Sequence, residues 1–545
     1  MYAQVAVENV NCTFDKDYDY SIPQQLEGKA LVGCRVAVPF GRGNKARIGI
    51  ITRLTDSTQG KRIKPISAVL DEAPLLSNEM LSLARWISEQ TFCTYYEAVK
   101  AMLPAGINHR IIRSFCAIPD VDKSAVDSLD ADERQGYEYL LTRSGYVKPE
   151  NFLKTLGFDI SSDIPERLFR AGFLAANDDA VRNVGDNNIR MVRLCEGADD
   201  IQMTKKQSEV VNVLKDTGSV SVRELCYFTG YTPSVISALE KKGAVECFER
   251  EELRSFVSRY AVKSAYDSGE LHLTDEQQRA YEGLVEDYRS GRGKTALLYG
   301  VTGSGKTSVY LKLIDAVLAD GRTVIVMVPE ISLTPQTLSV FHSRYGDEVA
   351  VFHSALSAGE RADEWKRVKK GDAKIVIGTR SAVFAPLENI GLIIIDEEQE
   401  HTYKSEQTPR YNAKSVARYR AAWHKGLTLL ASATPSVESF ASAKSGKYSF
   451  YELKNRFGKA VLPKVVTVDM RKEQQTGNRE LSRELIDELN KNREDGKQSI
   501  VLINRRGYNT FVSCTACGEV VTCPNCSISM TYHSVNGRLM CHYCG

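Results

Sequence analysis

At 545 residues the chain is too long for one compact core and predicts about three or four domains. Its 43% hydrophobic and 26% charged residues are those of a soluble globular protein, and no eighteen-residue apolar run suggests a membrane span. The net charge of +2 does not point to nucleic acid, and the N-terminus lacks a basic-then-apolar leader, so the cytoplasm is the expected compartment.

Residues 1–108 carry short β-type runs broken by turns: AQVAV, YDYSI, RVAVPFG and ARIGIITRL. These predict a small β-rich barrel or sheet, closed by a helix from Ser77 to Met102. From Lys29 to Lys64 there are nine Lys or Arg and one acid, Asp56, which suits a phosphate-backbone surface or a solvated loop face equally.

Residues 109–265 read as helical. From Thr204 the order is a helix (KKQSEVVNVLK), a short strand (SVSV), two further helices (RELCYFTG, TPSVISALEKKG) and then AVECFEREEL. Helix, turn, helix and a closing strand pair is the winged-helix plan, although the acidic wing from Glu246 to Glu252 argues against phosphate contact there. No internal repeat of solenoid period is visible.

From residue 266 to 450 the texture becomes βαβ. Apolar runs (TALLYG, TVIVMVP, IVIGT, LIIIDEE, LTLLASAT) alternate with helical stretches, predicting a parallel sheet covered on both faces. The first run ends in Gly300-Val301-Thr302-Gly303-Ser304-Gly305-Lys306-Thr307, a phosphate loop placed between a strand and a helix. Its backbone N–H groups would cradle the phosphates of ATP, Lys306 would reach them, and the Thr307 hydroxyl would face Mg²⁺. The buried run Leu392–Ile395 ends in Asp396-Glu397-Glu398-Gln399. Asp396 is assigned to the metal and Glu397 to the attacking water.

Thirteen cysteines do not form a disulfide scaffold. Seven stand singly from Cys12 to Cys247, and six form the pairs Cys514/Cys517, Cys523/Cys526 and Cys541/Cys544. Paired CxxC in a cytosolic chain predicts Zn²⁺, two pairs completing a tetrahedron.

With PEISLTPQ (329–336), GTRS (378–381) and SATP (432–435), these motifs resemble superfamily-2 helicases, in the order of their first RecA-like lobe. Leu273–Gln277 is similar to the segment with which such helicases recognise adenine, which makes Gln277 an ATP contact. PEISLTPQ, GTRSAVFAP, PRYNA (409–413), SATPSVES and NRRGY (504–508) resemble more narrowly the primosomal replication-restart helicases, across nearly the whole chain. The resemblance implies a 3′-to-5′ DNA helicase that recognises stalled or collapsed forks and initiates primosome assembly. It implies forked and single-stranded DNA as ligands. The implied protein partners are a single-stranded-DNA-binding protein and helicase-loading proteins, with the helicase itself a nucleoid-associated monomer.

Tyr18, Asp19, Gly41 and Lys64 match the family's pocket for a DNA 3′ end, though the first two suit an ordinary strand as well. Thr379, Arg380, Arg410 and Tyr411 fall in segments assigned to DNA. Gln399 stands where the family usually has His, a position linked to coupling hydrolysis with DNA movement, and an amide donates and accepts as a ring does. His401 is not expected to substitute.

The family holds two zincs per chain, the inner CxxC pairs sharing one ion and the outer pairs the other. Carried over, Cys523, Cys526, Cys541 and Cys544 complete one site, while Cys514 and Cys517 need a further pair beyond Gly545. Residues 451–513 would begin a second motor lobe and 514–545 form the zinc module, so the resemblance implies a C-terminally truncated chain lacking full activity. Two other readings share some of these features. Another superfamily-2 translocase, for fork reversal or restriction, leaves the YDY…VPFG and CxxC patterns unexplained. A zinc and winged-helix regulator with a degenerate ATPase lobe leaves Lys306, Thr307, Asp396 and Glu397 intact without reason.

Overall fold

The structure is a computed structural model. It describes residues 1–41, 43–58, 60, 62–107, 109–119, 121, 123–159, 161–182, 188–195, 197–198, 201–251, 271–456, 463–475, 481–502, 512, 514, 517, 519–533 and 538–541. These fall into two compact units, Met1–Lys459 and Ala460–Gly545.

The four expected β-runs become β1 (Tyr2–Val7), β2 (Tyr18–Ser21), β3 (Arg35–Phe40) and β4 (Lys45–Thr55). With the short β5 (Lys64–Pro65) and β6 (Ala68–Val69) they form one six-stranded sheet, in the order β5-β2-β1-β4-β3-β6. Alternating residues Val5, Val36, Val38 and Ile51 point into one apolar core with Tyr20 and Ile66, the period of two expected of strands.

The single helix expected from Ser77 to Met102 is two: α1 (Asn78–Thr91) and α2 (Tyr95–Met102). Ser77 caps α1 by accepting from the Met80 N–H, and Thr94 with Glu97 forms a capping box that starts α2. Between them Phe92 adopts φ 54°, the left-handed turn that ends α1. Thr94-x-x-Glu97 was the overlooked stop-and-start signal.

Two modules of one topology follow. In the first, β7 (His109–Ala117) leads through helix Ala131–Leu141, a bridge from Val147 back to Phe115, and helices Pro149–Leu156 and Ile164–Arg170 to β8 (Leu174–Arg182), antiparallel to β7. The second repeats the order: β9 (Asn188–Leu194), helix Lys205–Thr217, β10 (Ser219–Ser221), helices Val222–Thr229 and Pro233–Lys241, then β11 (Val245–Glu251). Here β10 and β11 both pair antiparallel with β9. Among the described residues one strand follows the last helix, and it pairs with β9 upstream. One acid of β11 is matched across the pair: Glu246 meets Arg193 at 2.8 Å. The repeat was invisible in the sequence because it preserves burial rather than identity. Phe152 and Leu225 occupy the same core position, five residues before Gly157 and Gly230, which end their helices at φ 75° and 69°.

The ATPase lobe holds a seven-stranded parallel sheet: β12 (Thr295–Gly300), β13 (Thr323–Met327), β14 (Val349–Phe352), β15 (Ile375–Gly378), β16 (Ile390–Asp396), β17 (Leu427–Ser432) and β18 (Ser449–Leu453). The order is β14-β15-β13-β16-β17-β12-β18. β18 pairs parallel with β12, so the lobe continues to Leu453 rather than closing at 450. The four residues of β14 and the half-exposed β18 were too short or too mixed to read as strands.

One face of this sheet packs under helices of its own lobe. The other face, with Leu297, Ile325 and Ile393, shares a continuous core with Leu83, Ile87 and Val99 of α1 and α2. At the junction Arg420 is fully buried. Its Nε and Nη2 donate to Glu79 at 2.6 and 3.0 Å, and Nη1 donates to the Val383 and Ala385 carbonyls at 2.8 Å each. Burial alone would raise the Glu79 carboxyl, but Arg420, with His424 beside it, outweighs burial and holds it at about 2.

In the second unit the described residues include helix Arg483–Glu494 and a two-stranded ribbon, Thr531–His533 with Arg538–Met540. The NRRGY motif lies outside the described residues. Among the described residues no helix is long and apolar enough to cross a membrane.

Removing one partner of a buried ion pair strands the other charge, so Glu79→Gln is expected to destabilise unit one by ~3–5 kcal/mol in urea melts at pH 7. A carboxyl held at about 2 when folded and near 4.3 when unfolded stabilises fully above the unfolded value and less as pH falls toward 2. The gap between wild type and variant should thus stay constant from pH 7 to 5 and narrow below about pH 4.

Candidate active site and DNA-end pocket

Three neighbouring strands, β16, β17 and β12, bring their carboxyl ends together, the position where ligands bind in open parallel sheets. β12 delivers the phosphate loop, and helix Lys306–Ala319 begins directly after it. Gly303 and Gly305 take φ 78° and 79°, which turns the loop without a side-chain penalty. At Gly305 a Cβ would lie 2.3 Å from the Gln277 Nε2. Gln277 is 2% exposed; its Nε2 donates to the Ser304 carbonyl at 2.8 Å and its Oε1 accepts from the Thr274 N–H at 2.9 Å. Its amide therefore braces the phosphate loop from behind.

The Lys306 Nζ donates to the Gly300 carbonyl at 2.8 Å. Burial lowers its pKa, while Glu397 and Asp396 act in the opposite sense. Burial, and then the neighbouring Glu397, push the Asp396 carboxyl up to about 6. The carboxylates and the hydroxyl of Thr307 are oxygen donors of the kind a divalent cation takes, and Asp396 with Thr307 would hold Mg²⁺, with Lys306 left for phosphate. When bound, that ion neutralises charge on the β- and γ-phosphates. Asp396 is oriented by the Tyr310 hydroxyl at 3.4 Å, and its own carbonyl accepts from the buried Tyr403 hydroxyl at 2.7 Å.

Glu397 sits at φ 45°, a left-handed conformation that costs a non-glycine residue roughly 1–2 kcal/mol. Strain of this kind persists only where surrounding contacts impose it. They are visible here: the Gln399 Nε2 donates to the Glu397 Oε2 at 2.9 Å, and the Ser432 hydroxyl donates to the Gln399 Oε1 at 2.6 Å. The Thr434 N–H then donates to the Ser432 Oγ at 2.9 Å. A continuous relay thus joins the Glu397 carboxylate to the SATP turn, and Gln399 uses both ends of its amide in it. Next to it, fully buried Glu398 binds Lys414 at 2.7 Å and the Ser436 N–H at 2.6 Å. Glu398, Tyr403 and Lys414 were not singled out in the sequence. The acidic run after β16 was the only signal for the first.

Of the residues assigned to DNA in this lobe, Thr379 and Tyr411 are buried. The Arg380 guanidinium donates to the Thr402 and Lys404 carbonyls at 3.1 and 2.8 Å and lies over the Tyr411 ring. Arg380 and Tyr411 thus shape the 400–412 loop, and Arg410 is exposed on it. His401 lies with Lys404, Lys414 and Arg418 around a cavity of about 480 Å³ that Gln399 also lines.

Far from the phosphate loop in sequence, Tyr18, Asp19, Gly41 and Lys64 line one cavity of about 710 Å³ in the first sheet. The Lys64 Nζ donates to the Gly41 carbonyl at 2.6 Å. Asp19 accepts from the Thr58 hydroxyl at 2.6 Å and from the Gln4 amide at 3.3 Å, leaving further lone pairs on its carboxylate. Tyr18 packs edge-on against Phe40, with Lys16 over its ring. Lys16, Phe40, Asn44 and Arg62 also line the cavity; Arg62 belongs to the basic stretch noted in the sequence, whereas Asn44 carried no signal.

The cysteines meet as spacing suggested. The thiolate-bearing atoms of Cys523, Cys526 and Cys541 lie within 4.8 Å of one another, and Cys526 and Cys541 are 3.3 Å apart. That is a tetrahedron's worth of proximity for three Zn²⁺ ligands, and Cys544 lies outside the described residues. Cys514 and Cys517 are exposed.

Comparison with known proteins agrees with this geometry. Residues 4–104 match the family model for a 3′ DNA-binding domain, 274–442 that for a DEAD/DEAH box helicase, and 523–545 that for the PriA DNA helicase Cys-rich region. The replication restart protein PriA of Bacillus subtilis is 38% identical over 100% of this chain and 67% of its own length. The chain belongs to the PriA family of replication restart proteins. PriA of Synechocystis is 35% identical over 97% of this chain and 64% of its own, and PriA of Chlamydia muridarum 30% identical over 100% and 64%. The chain thus spans about two thirds of the length of these PriA relatives.

Glu397→Gln should leave nucleotide binding nearly intact while lowering ATP hydrolysis by ~10²-fold or more, whereas Lys306→Ala should weaken binding itself. In titrations with a fluorescent nucleotide the two variants must separate in that way. Gln399→His, which keeps a donor and an acceptor, is expected to retain DNA-stimulated hydrolysis better than Gln399→Ala.

Proposed function

We propose that the protein is an ATP-driven 3′-to-5′ DNA helicase of replication restart, which recognises stalled or collapsed forks by the 3′ end of a nascent strand and there begins primosome assembly. The observation that carries this reading is the convergence of Tyr18, Asp19, Gly41 and Lys64 on one cavity, in a domain whose helices share a core with the ATPase lobe. The four residues suit a terminal nucleotide: an aromatic ring for the base, a carboxylate to accept from the 3′-hydroxyl, and a lysine for phosphate. Gln277 and residues 300–307 serve ATP. Arg380 and Tyr411 act on DNA by shaping the loop that exposes Arg410. The two α+β modules are winged helices whose closing strand has moved to the front, and they serve as contacts to the fork or to loading proteins.

Zn²⁺ is held by Cys523, Cys526 and Cys541 with Cys544, as a closed structural site. Metal analysis of the 545-residue chain should find one tightly held zinc, lost in Cys523→Ser and retained in Cys514→Ser. Two tight zincs, or none, would show the cysteines to be paired otherwise.

Fork recognition is tested on the DNA end. Forks ending in a 3′-hydroxyl beside the junction should bind about tenfold more tightly than forks ending in a 3′-phosphate, which adds charge beside Asp19. Asp19→Ala should remove that preference and leave ATPase stimulated by plain single-stranded DNA unchanged. Equal binding of both forks by the wild type removes the pocket from the mechanism.

A further inference from the structure

The edge of the ATPase sheet away from the phosphate loop has a second opening. There the carboxyl ends of β14 and β15 border a cavity of about 270 Å³, closed by the end of α2 from the N-terminal domain. The carboxyl end is the ligand-binding end of a parallel sheet, and the nucleotide motifs occupy it at β16, β17 and β12. β15 and β14 stand two and three strands beyond β16, with ends that carry none of the nucleotide motifs.

The lining is aromatic. Phe352, Trp365 and Phe384 come from the lobe, and Met102 with Pro104 from the N-terminal domain. Its polar members are His353, Arg361 and Ser381. The Arg361 Nε is buried and has no hydrogen-bond partner among the described residues. A buried guanidinium N–H left unmatched is costly, so one retained in a cavity marks a place for an acceptor. A ligand that fits is flat and aromatic, with a carbonyl oxygen or ring nitrogen on its edge, and small enough for one ring system.

We propose that this cavity receives one unpaired nucleobase of the DNA strand on which the lobe moves. The proposal rests on the reading of the lobe as a DNA motor. Its polar mouth continues that surface: Ser381 is exposed and directly follows Thr379 and Arg380, and His353 directly follows β14. A free nucleoside offers the same ring and the same acceptors, but only a base on a strand uses the adjoining loop. Since the walls come from both domains, a base held here would also register the strand against the domain that carries the 3′-end pocket.

The test uses the full 545-residue chain and oligothymidylates carrying one 5-iododeoxyuridine, moved one position at a time. Irradiation couples this base to aromatic, histidine and methionine side chains in contact with it, and the labelled peptides are mapped by mass spectrometry. One position should label the peptides that contain Phe352, Trp365 or Phe384. Ala101→Phe, which fills the cavity from α2, should remove that label and weaken single-stranded DNA binding by about tenfold, the order expected for loss of one base–aromatic stack. Arg361→Lys keeps the charge but not the Nε donor. It should reduce the label severalfold, and it decides the matter if Ala101→Phe does not fold. If the oligonucleotide binds but labels other peptides at every position, the cavity assignment fails and the motor reading stands. If it does not bind, both fall. Equally efficient labelling of the same peptides by free 5-iododeoxyuridine would overturn the strand assignment in favour of a free nucleoside.

Discussion

The architecture of the first unit depends on one buried charge. Arg420 arises on the helix after the 400–412 loop, and its guanidinium is met by Glu79 of α1 and by carbonyls of the segment that follows GTRS. Inside the packed interface neither charge has water to fall back on, so loss of either partner strands the other. Around this pair the apolar residues of α1, α2 and one face of the sheet merge into a single core. The cavity of the first sheet and the phosphate loop therefore belong to one unit.

Within the lobe, position is again imposed through hydrogen bonds that consume side chains. Glu397 is held in a left-handed backbone conformation by a relay that ends in the SATP turn, and Gln399 is the middle of it. An amide serves because the position requires one donor and one acceptor at opposite ends. The turn after β17 is thereby tied by hydrogen bonds to the Glu397 carboxylate. Arg380 and Tyr411 illustrate the same economy. The Arg380 guanidinium is spent on loop carbonyls, and Arg410 is exposed on that loop.

The two small modules between sheet and lobe show how a fold repeats without a repeat in sequence. Their helices end on glycines at equivalent points, and their cores use Phe152 and Leu225 at one site. On the outer face the copies differ: Tyr227 and Phe228 are exposed where the first module places Lys154 and Thr155. Packing constrains the inner positions in both copies alike, and solvent leaves the outer ones to diverge.

What the sequence by itself determined was everything carried by short, contiguous chemistry. The phosphate loop, the acids after β16, the CxxC pairs and five of the seven lobe strands are each legible because backbone turns, metal ligation and buried parallel strands demand particular residues at adjacent positions. The split of α1 from α2 was equally available, in Thr94 and Glu97, and was passed over. Only the tertiary structure decided what depends on distant residues meeting. Glu79 and Arg420 are 341 positions apart, and neither is marked locally as half of a pair. β14 and β18 are strands because neighbours in the sheet bond to them, and β11 finds its partner in β9 upstream. The relay from Glu397 to Ser432 exists because β16 and β17 lie side by side, an adjacency set by the order of strands in the sheet and by no residue in either.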